Sequence, residues 1–562
     1  MADPTMRPLG AQISHMLKSR GVDVIFGIPG VHNIELYRGI EEAGITHILA
    51  RHEQGAGFMA DGYARATGRP GVAYVITGPG LTNIMTPMGQ AWSDSVPMLV
   101  ISSCLDETAA TRGQLHQMRD QRAAAAAVCD WSEEARTAEA AYTLIDRALS
   151  DETRRKRPVH IQIPIDLLST VAERAPERYV ETHSASVQRI DESVLSDFAQ
   201  QLEFASKPLF IFGGGFASGN PTPRPREDAA RELMRRTGAA AFTTYAAAGL
   251  LASEDPLSFG CYLGRPDSKR ILAEADLVIA IGTELSECDL WRDELGHEGT
   301  LVRVDIDPEV LADRHRADMT FASDAYHFAA ELIVSFLPDE TAVPKWDATL
   351  VAEAKARFRA EVDAERPNIA PICDALRACL PETTMIYSDM TQFAYVAKEV
   401  WDMPHPGLWH HPTGFGTLGY ALPAAIGGAV ARRQFLENAT IFAVPDPETG
   451  EMPVPDLPTI AIAGDYGFQY TMQELGTAVE LGLPLPILLW DNGKLKEIED
   501  SMTAAQIAPN AVTARNPDFL KLAEAYGARA TEPASLEELQ RDVLTALKAD
   551  RPTLIRMTPA LA

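Results

Sequence analysis

The feature that most constrains the fold is a pair of apolar runs that each end in a polar turn. Residues 459–463 lead into Gly464-Asp465-Tyr466-Gly467-Phe468, and residues 485–490 lead into Asp491-Asn492-Gly493. Residues 472–481, between the two turns, have helical periodicity. This order predicts strand, turn, helix and strand, with both turns at the same edge of a parallel sheet.

A carboxylate and an amide at neighbouring strand ends are oxygen ligands of the kind that Mg²⁺ takes. We expect side-chain oxygens from Asp465 and Asn492, and a backbone carbonyl oxygen from Lys494. Diphosphate oxygens and water would complete the shell. The N–H groups of Gly467 and Phe468, at the start of the helix, would receive the phosphates. Each turn alone is ordinary turn chemistry, so the prediction depends on their matched placement.

Length and charge limit the class of protein. At roughly 100–200 residues per domain, a chain of 562 residues suggests about three domains. The formal net charge of −28 argues against nucleic acid and anionic membrane surfaces as partners. The sequence contains no run of about 18 uncharged apolar residues, so it predicts no membrane span. The 6 cysteines form no CxxC pair, which favours reduced thiols in a cytoplasmic protein over a zinc site or a disulfide framework.

Alternating strand-like and helix-like segments divide the chain into three blocks, 1–175, 190–335 and 365–562. The predicted strands are 22–26, 46–49, 71–77, 98–102, 159–163, 208–212, 277–281, 301–306, 385–388, 459–463, 485–490 and 553–556. Such alternation predicts an α/β protein with three doubly wound parallel-sheet domains. Polar residues 171–190 predict a linker, and proline-rich residues 433–458 predict a surface loop.

Glu53 follows a predicted strand and precedes a predicted helix over 56–66. A carboxylate near a helix start is electrostatically favourable in any protein, so the position alone implies no chemistry. A second interpretation links Glu53 to the predicted diphosphate site. A carboxylate that faces the aminopyrimidine ring of thiamine diphosphate would favour the ring tautomer that activates this cofactor, which carries the chemistry itself.

These motifs occur in the order found in the acetolactate synthase/pyruvate decarboxylase-like superfamily of thiamine diphosphate enzymes, which the chain resembles over most of its length. The N-terminal signature is Phe26-Gly27-Ile28-Pro29-Gly30, then Glu53, then Thr77-Gly78-Pro79-Gly80-Leu81-Thr82-Asn83. The C-terminal signature is GFGTLGYALPAAIG, which begins at Gly414 and is followed by the metal motif. The resemblance implies a pyrimidine-binding, a central and a diphosphate-binding domain.

The resemblance also implies roles for individual residues. Glu53 would be the acid that activates the pyrimidine, and Asp465 and Asn492 would bind magnesium. Leu418 would lie beneath the cofactor and impose its bent conformation, and Gln392 would approach the diphosphate. The other cofactor-binding residues that it implies are Pro29, Gly30, Thr77, Gly78, Asn83, Gly416, Gly464, Tyr466, Gly467 and Phe468.

Two departures from the family pattern lie in the metal motif. Tyr466 replaces the last glycine of the usual Gly-Asp-Gly, and Asp491 replaces the first asparagine of the usual Asn-Asn. Neither change removes a metal ligand. In the family, the activating glutamate and the metal motif meet across two subunits. The resemblance therefore implies a homodimer as the minimum active unit, and homotetramers are common.

Three polar residues bear on the substrate. His116 lies where relatives place a residue beside the reacting carbon, so it would donate a proton or bind the substrate carboxylate; a surface histidine is the alternative. Glu497 replaces an apolar residue that touches the substrate in acetolactate synthases. A carboxylate there suits a guanidinium, although a solvated helix face is the commoner role. Through Glu497, Asp491, the Gly-Asp-Tyr variant and its overall likeness, the chain resembles 2-ketoarginine decarboxylases. The resemblance implies decarboxylation of 5-guanidino-2-oxopentanoate (2-ketoarginine) to CO₂ and an aldehyde.

Other activities share the same first steps. One alternative is an acetolactate synthase-like carboligase, the large catalytic subunit, acting on pyruvate. Another is a flavin-linked 2-oxo acid oxidase, because some relatives bind FAD in the central domain. Gly213-Gly214-Gly215 and Asp305-Ile306-Asp307-Pro308 resemble that domain, but a glycine run after a strand is a weak signal. We favour a structural role for it. A non-catalytic relative is disfavoured because Glu53 is present.

Overall fold

Three parallel six-stranded sheets form the framework of the computed structural model, which describes residues 6–105, 113–150, 156–177, 190–218, 225–442, 456–513 and 515–561. Each sheet is parallel throughout, and helices connect its strands. The predicted α/β class with three doubly wound sheets is therefore confirmed. Among the described residues, none of the helices combines the length and the apolar character that a membrane span requires.

The N-terminal sheet contains the strands of the first block. In order across the sheet they are Thr46–Leu49, Val24–Gly27, Gly71–Val75, Met98–Cys104, Pro158–Pro164 and Trp131–Glu134. The helices are Leu9–Ser19, Ile34–Tyr37, Glu53–Thr67, Pro79–Ser93, Gln121–Ala126, Ala138–Ala148 and Ile165–Ser169. A short antiparallel pair, Arg7–Pro8 with Val171–Ala172, joins the two ends of this domain.

The central sheet has the same parallel construction. Its strands, in order, are Ser258–Gly260, Ala240–Thr243, Pro208–Phe212, Leu277–Ile281, Thr300–Asp305 and Met319–Ala322. Its helices are Glu192–Phe204, Gly214–Ala217, Arg226–Thr237, Tyr245–Ala247 (3₁₀), Ser268–Glu274, Glu287–Leu290, Pro308–Leu311 and Ala325–Ser335. The long helix Ala348–Glu365 then leads to the third domain.

The C-terminal sheet contains the two strands whose turns predicted the metal site. Its strands, in order, are Trp409–His410, Met385–Ser388, Thr459–Gly464, Pro486–Trp490, Thr553–Met557 and Arg529–Thr531. Its helices are Ala370–Cys379, Gln392–Val400, Ala421–Phe442, Asp465–Thr471, Met472–Glu474 (3₁₀), Leu475–Glu480, Lys496–Ala504, Phe519–Ala525 and Leu536–Ala546.

Every strand predicted from an apolar run is present, with small shifts at the ends. The short pair Arg7–Pro8 and Val171–Ala172 was missed. So were six strands of the three large sheets, and five of these six lie at sheet edges: Trp131–Glu134, Ser258–Gly260, Met319–Ala322, Trp409–His410 and Arg529–Thr531. Edge strands pair on one side only and are short, so they need no continuous apolar run. The sixth, Ala240–Thr243, is internal but begins with two alanines, which carry little strand signal.

Two predicted irregular segments are partly regular. The segment 433–458 was predicted to be a loop, but the helix Ala421–Phe442 continues into it, and residues 443–455 lie outside the described residues. Alanine and other helix-forming residues extend the helix before the prolines begin. The predicted linker 171–190 opens with the strand Val171–Ala172, and residues 178–189 lie outside the described residues.

The N- and C-terminal domains pack along two helices, Glu53–Thr67 and Ala421–Phe442. A Cβ atom on Gly62 would lie 2.0 Å from the carbonyl oxygen of Ala424, and one on Gly427 would lie 1.9 Å from that of Met59. The helix backbones are therefore in direct contact at these glycines. The Tyr420 hydroxyl donates to Asp61 Oδ1 across the same interface at 2.7 Å. This contact positions the helix that begins at Glu53.

Replacing a glycine at this crossing should separate the two domains. We expect Gly427→Ala to lower the free energy of unfolding by about 1–3 kcal/mol, because the added methyl group meets backbone that cannot move independently. The measurement is chemical denaturation. Gly476→Ala is the matched control, since its Cβ would meet atoms no closer than 3.5 Å. Equal stability of the two variants would contradict this account of the interface.

Candidate active site

The two predicted turns lie side by side at the carboxyl ends of two neighbouring internal strands of the C-terminal sheet. Strands Thr459–Gly464 and Pro486–Trp490 are adjacent, and Gly464 is in register with Trp490. Asp465 and Asp491 therefore each follow directly after paired residues. The helix begins at Asp465 itself, with Gly464 at its N-cap, and so earlier than the helix predicted for residues 472–481. Gly467 and Phe468 thus lie in its first turn, where backbone N–H groups lack helical acceptors.

Asp465 is buried, and its carboxylate organises the turn. Oδ2 accepts hydrogen bonds from the backbone N–H of Gly493 at 3.0 Å and from Asn516 Nδ2 at 2.7 Å. Burial raises the pKa of Asp465, Asn516 opposes this shift, and the nearby Asp491 adds to it. A buried carboxylate beside a second carboxylate is an environment that a divalent cation would stabilise.

Asn492 lies in the turn predicted to bind the metal, residues 491–494, here called the metal turn. It contacts Gln392, the residue predicted to approach the diphosphate. Its Nδ2 donates to Gln392 Oε1 at 3.3 Å, and its Oδ1 accepts from the backbone N–H of Lys494 at 3.2 Å. In the part of the chain that the structure describes, no group of three or more His, Cys, Asp and Glu side chains is arranged to hold a metal. One carboxylate, one amide oxygen and one carbonyl oxygen instead fit a cation that keeps few protein ligands, such as Mg²⁺.

Asp491, predicted to contact substrate, is occupied by bonds within its own domain. Arg556 Nε donates to Oδ2 at 2.8 Å, and Asn516 Nδ2 donates to Oδ1 at 2.9 Å. Only 7% of its surface is exposed. Both oxygens are thus engaged, and the charge is balanced by Arg556. Sequence reasoning missed Asn516, which joins Asp465 to Asp491 from a loop far along the chain.

Asp389 holds the segment that carries Leu418. The carboxylate Oδ2 accepts from the backbone N–H of Gly419 at 2.9 Å, and a Cβ atom on Gly467 would lie 2.4 Å from the same oxygen. Leu418 is half-buried, and Gly416 has a φ of 65°, which lets the chain turn before it. Burial raises the pKa of Asp389 to about 7. Its position at the end of strand Met385–Ser388 was a signal that the sequence analysis did not use.

Glu53 is the first residue of its helix and is 9% exposed. Asn83 Nδ2 donates to Glu53 Oε2 at 2.9 Å, so two predicted cofactor residues are in contact. Gly80 lies beside the same carboxylate, since a Cβ atom on it would be 3.4 Å from Glu53 Oε1. The orientation of the Glu53 carboxylate is therefore set by the start of its own helix and by Asn83 of helix Pro79–Ser93.

Thr77 and Gly78 form a tight turn whose backbone is held by buried polar groups. Gln121 Oε1 accepts from the backbone N–H of Gly78 at 2.8 Å, and Thr77 Oγ1 lies 2.9 Å from Ser103 Oγ. Gly78 has a φ of 70°, and a Cβ atom on it would lie 2.4 Å from the carbonyl oxygen of His116. This close approach places His116 next to the turn. Gln121 was not predicted.

His116 is paired with a second histidine. The rings of His32 and His116 are edge to face, with centroids 4.8 Å apart. Both Nδ1 atoms are buried and make no hydrogen bond within the described residues. Burial and then His116 lower the pKa of His32, which favours a neutral imidazole. His32 lies just after Pro29 and Gly30, and a Cβ atom on Gly30 would contact Ile76 at 2.3 Å.

Glu474, which the sequence analysis did not single out, links the two halves of the site within one chain. It is fully buried in the helical segment that follows Asp465. Its Oε1 accepts from the backbone N–H groups of Arg51 and His52, both at 3.0 Å. Its Oε2 accepts from Thr477 Oγ1 at 2.8 Å. These bonds fix the backbone immediately before Glu53. A glutamate on a helix carries no sequence signal for this contact.

Glu497 lies beyond the metal turn, on helix Lys496–Ala504, and forms a bidentate ion pair. Arg366 Nε donates to Oε1 and Nη2 donates to Oε2, each at 2.9 Å. Arg366 is the C-cap of helix Ala348–Glu365. The carboxylate predicted to receive a substrate guanidinium therefore binds a guanidinium of the chain itself. Arg366 was not predicted, because it is distant in sequence from every motif.

The central domain contributes to a cleft of about 2740 Å³ between the three domains. Gly214, Gly215, Gly282 and Asp305 are among its lining residues. A Cβ atom on Gly213 would lie 2.1 Å from the carbonyl oxygen of Gly282. The glycine run is thus required by close packing of two strand ends, whatever the cleft binds.

Comparison with known proteins agrees with this geometry. Residues 7–124 match the family description "Thiamine pyrophosphate enzyme, N-terminal TPP binding domain", residues 195–332 match its central domain, and residues 389–557 match its C-terminal TPP binding domain. The chain belongs to the thiamine pyrophosphate enzyme family. Thiamine pyrophosphate is the thiamine diphosphate of the sequence analysis, so the predicted cofactor and family are confirmed.

Relatives along the whole chain narrow the class. The probable 2-ketoarginine decarboxylase AruI of Pseudomonas aeruginosa is 40% identical, with 98% of this chain and 94% of that protein covered. The acetolactate synthase isozyme 1 large subunit of Escherichia coli is 27% identical, with 97% and 92% covered. The protein is thus a thiamine diphosphate-dependent enzyme of the 2-oxo acid decarboxylase and acetolactate synthase group.

Solved structures match the fold. Benzoylformate decarboxylase from Polynucleobacter necessarius aligns with a TM-score of 0.81 at 18% identity and covers 99% of both chains. A thiamin diphosphate-dependent enzyme from Mycobacterium smegmatis, described as putative, aligns with a TM-score of 0.79 at 22% identity, covering 98% of this chain and 99% of that one. At these identities the similarity concerns the fold alone.

The link through Glu474 should make stability depend on pH. Burial raises the pKa of Glu474 from 4.5 to about 7, so the folded protein holds a proton that the unfolded chain releases. The contribution of Glu474 to stability is therefore present below pH 4.5 and is lost as the pH rises to 7. We expect Glu474→Gln to flatten the pH dependence of the unfolding free energy over this window.

The control for this measurement is Glu480→Gln, which removes the more exposed carboxylate that pairs with the Arg51 side chain at 2.5 Å. It should retain the pH dependence of the native protein. Parallel pH profiles for the native protein and Glu474→Gln would contradict the raised pKa.

Proposed function

We propose that this enzyme decarboxylates 5-guanidino-2-oxopentanoate with thiamine diphosphate and Mg²⁺, releasing CO₂ and the corresponding aldehyde. The observation that carries the proposal is the carboxylate of Glu497, near the metal turn, which binds a guanidinium through both oxygens. Guanidinium and carboxylate match in this planar, two-bond geometry. The similarity to a probable 2-ketoarginine decarboxylase supports the same substrate.

Residues of the C-terminal domain would bind the diphosphate end of the cofactor, and residues of the N-terminal domain would bind its pyrimidine end. Asp465, Asn492 and the carbonyl of Lys494 would hold Mg²⁺, and the N–H groups in the first turn of helix Asp465–Thr471 would receive phosphate oxygens. Leu418 would support the cofactor between its two rings. The chemistry that thiamine diphosphate would supply when bound is a carbanion centre able to add to a keto carbon and to hold the electron pair released with CO₂.

Glu53 would act on the pyrimidine end of the cofactor. Its carboxylate is buried, and Asn83 fixes one oxygen at 2.9 Å, so the other oxygen would hold a proton against a ring nitrogen. A protonated pyrimidine ring favours the tautomer that removes the reactive proton. Glu53 therefore serves as the activating acid, and Asn83 orients it.

His116 and His32 would supply the proton that completes a decarboxylation. Their edge-to-face rings and buried Nδ1 atoms keep two imidazoles beside the turn at Gly78. An imidazolium can donate a proton to the product carbon, and the neutral imidazole that remains can bind a substrate group. Protonation of the product carbon gives an aldehyde, whereas attack on a second 2-oxo acid gives a ligated product.

We also propose that two copies of the chain complete each site. Within the described residues, no hydrogen bond or ion pair joins Glu53 or Asn83 to Asp465 or Asn492. A homodimer in which Glu53 of one subunit faces Asp465 of the other would bring both ends of the cofactor into contact with protein. A tetramer would repeat this pair.

The second candidate is an acetolactate synthase-like carboligase. It is favoured by the similarity to acetolactate synthase large subunits. In that case pyruvate would be the donor, and the Arg366–Glu497 pair would be a surface ion pair outside the donor pocket. A flavin-linked oxidase would instead bind reducible FAD in the central cleft; the packing role of Gly213 argues for a structural function there.

A panel of 2-oxo acids decides between these activities. With thiamine diphosphate and Mg²⁺ supplied, we expect kcat/KM for 5-guanidino-2-oxopentanoate to exceed that for pyruvate by at least about 100-fold, because a bidentate charged contact contributes roughly 3 kcal/mol. The measurement is CO₂ release with products identified by mass. Acetolactate formed from pyruvate at the higher rate would replace the proposal with the carboligase. Flavin absorbance that bleaches with substrate would indicate the oxidase.

Glu53→Gln should lower kcat by about 10²–10⁴-fold, because an amide cannot protonate the pyrimidine ring. Binding of Mg²⁺ and the diphosphate should persist, since those contacts lie on the other sheet edge. Stopped-flow rates and calorimetric titration of thiamine diphosphate separate the two effects. Glu41→Gln, an exposed glutamate of the same domain, is the control. A variant at Glu53 with native kcat would exclude its role.

A further inference from the structure

The side chains around Glu497 form a complete binding site for a guanidinium, here called the guanidinium seat: the carboxylate of Glu497 and the ring of Tyr395. Arg366 donates two hydrogen bonds of 2.9 Å to the carboxylate. Its Cζ also lies over the ring of Tyr395, 5.7 Å from the centroid. A two-bond carboxylate contact with an aromatic face is the combination that recognises guanidinium over ammonium.

The seat is next to the predicted cofactor site. Tyr395 lies on helix Gln392–Val400, whose first residue, Gln392, accepts from Asn492 of the metal turn. The Tyr395 hydroxyl lies 3.8 Å from the sulfur of Met390, and Met390 in turn lies beside Gly416. The seat therefore shares its walls with the segments that carry the diphosphate and Leu418.

Arg366 already contacts a second carboxylate. Its Nη1 donates to Glu365 Oε2 at 3.1 Å, while Nε and Nη2 bind Glu497. Arg265 Nη1 lies 2.9 Å from the same oxygen of Glu365 and Nε lies 2.5 Å from Glu399. The result is an alternating row, Glu497–Arg366–Glu365–Arg265–Glu399, with a carboxylate at each end. The ammonium of Lys398 interacts with Glu399 and lies 5.0 Å from the centroid of the Tyr395 ring, so a third positive charge stands beside the row.

The helix that carries Glu497 packs loosely. None of the residues of Lys496–Ala504 is buried. Among the described residues, one ion pair joins this helix to a distant part of the chain, the pair between Glu497 and Arg366. The other ion pairs of the helix are local and involve Lys494 and Lys496. Small shifts of this helix would therefore change the geometry of the guanidinium seat without disturbing buried apolar packing.

We propose that Arg366 is a specificity-determining residue that competes with the substrate for the guanidinium seat. The inference rests on the proposed function and adds the means of selection. A substrate guanidinium takes the place of Arg366 on Glu497 and Tyr395, and Arg366 turns to Glu365, which it already contacts. The carboxylate of Glu497 keeps a cationic partner throughout, because one guanidinium replaces another.

Exchange of one guanidinium for another conserves the charge-assisted hydrogen bonds to Glu497. A neutral or anionic side chain cannot make this exchange, since it would leave Glu497 without a cation. Arg366 thus keeps the seat closed to 2-oxo acids with apolar tails and lowers the apparent affinity for the correct substrate by the fraction of time that the seat is free.

Arg366→Met tests the competition, because methionine keeps the volume of the stem and removes the cation. We expect KM for 5-guanidino-2-oxopentanoate to fall by about tenfold, which corresponds to a seat that is free roughly one-tenth of the time in the native enzyme. The KM for pyruvate should stay within about twofold, since a methyl tail does not use the seat. A raised KM for the guanidino substrate would overturn the proposal and make Arg366 an orienting partner of Glu497.

A binding measurement provides a readout that is independent of turnover. Methylguanidinium chloride titrated into the holoenzyme should bind about tenfold more tightly to Arg366→Met than to the native protein. Addition of Glu497→Gln to that variant should abolish binding. Equal affinity in the native protein and Arg366→Met would show that the two guanidinium groups do not compete, and would reject the inference.

Two further variants complete the experiment, one as a control and the other as a substitute for Arg366→Met. Arg359→Met is the matched control, since Arg359 lies on the same helix and pairs with Asp374 at 2.5 Å, away from the seat; it should behave as native. Arg366→Lys serves if the methionine variant does not fold. Lysine cannot make the two-bond contact, so it should compete less and give an intermediate KM. A KM above the native value would again count against competition.

The experiment separates failure of the inference from failure of the proposed function. If the native holoenzyme does not decarboxylate 5-guanidino-2-oxopentanoate, the proposed substrate is wrong. The methylguanidinium titration still reports whether Arg366 and a free guanidinium share one seat. If the substrate is turned over but Arg366→Met raises KM, the function stands and the competition does not.

Discussion

Direct backbone contact between helices Glu53–Thr67 and Ala421–Phe442 is the constraint on which the rest of the structure depends. Gly62 and Gly427 remove the side chains that would hold the helices apart. The helix that opens with Glu53 is thereby packed against the domain that carries Asp465 and Asn492. Glu474 adds a polar link, because its buried carboxylate accepts from the two amides that precede Glu53.

This arrangement has a consequence for a two-chain site. If Glu53 serves one site and Asp465 of the same chain serves the other, then Glu474 connects the two sites through covalent and hydrogen-bonded structure. Its carboxylate is held by donors on both sides, and Thr477 Oγ1 lies within reach of both Glu474 and the carbonyl of Leu49. The backbone before Glu53 and the helical segment after Asp465 are therefore joined by direct hydrogen bonds.

The proposed specificity depends on a different kind of contact. The predicted cofactor residues follow strands of the two outer domains, whereas the guanidinium seat is formed by Glu497 and Tyr395 on two separate helices, with Arg366 at the end of a third. Bidentate geometry and an aromatic face make the seat selective. The loose packing of helix Lys496–Ala504 makes it adaptable. The proposed substrate contact and the proposed cofactor contacts are thus made by different side chains on neighbouring segments.

The sequence by itself determined the three-sheet α/β architecture, because buried parallel strands are continuous apolar runs, and it placed Asp465 and Asn492 at one sheet edge, because they follow such runs directly. Edge strands such as Trp409–His410 escaped prediction, since one-sided pairing requires no such run. Only the tertiary structure showed that Asp491 is neutralised by Arg556, and that Glu497 binds Arg366. Contacts between side chains far apart in the chain depend on packing, which leaves no local pattern in the sequence.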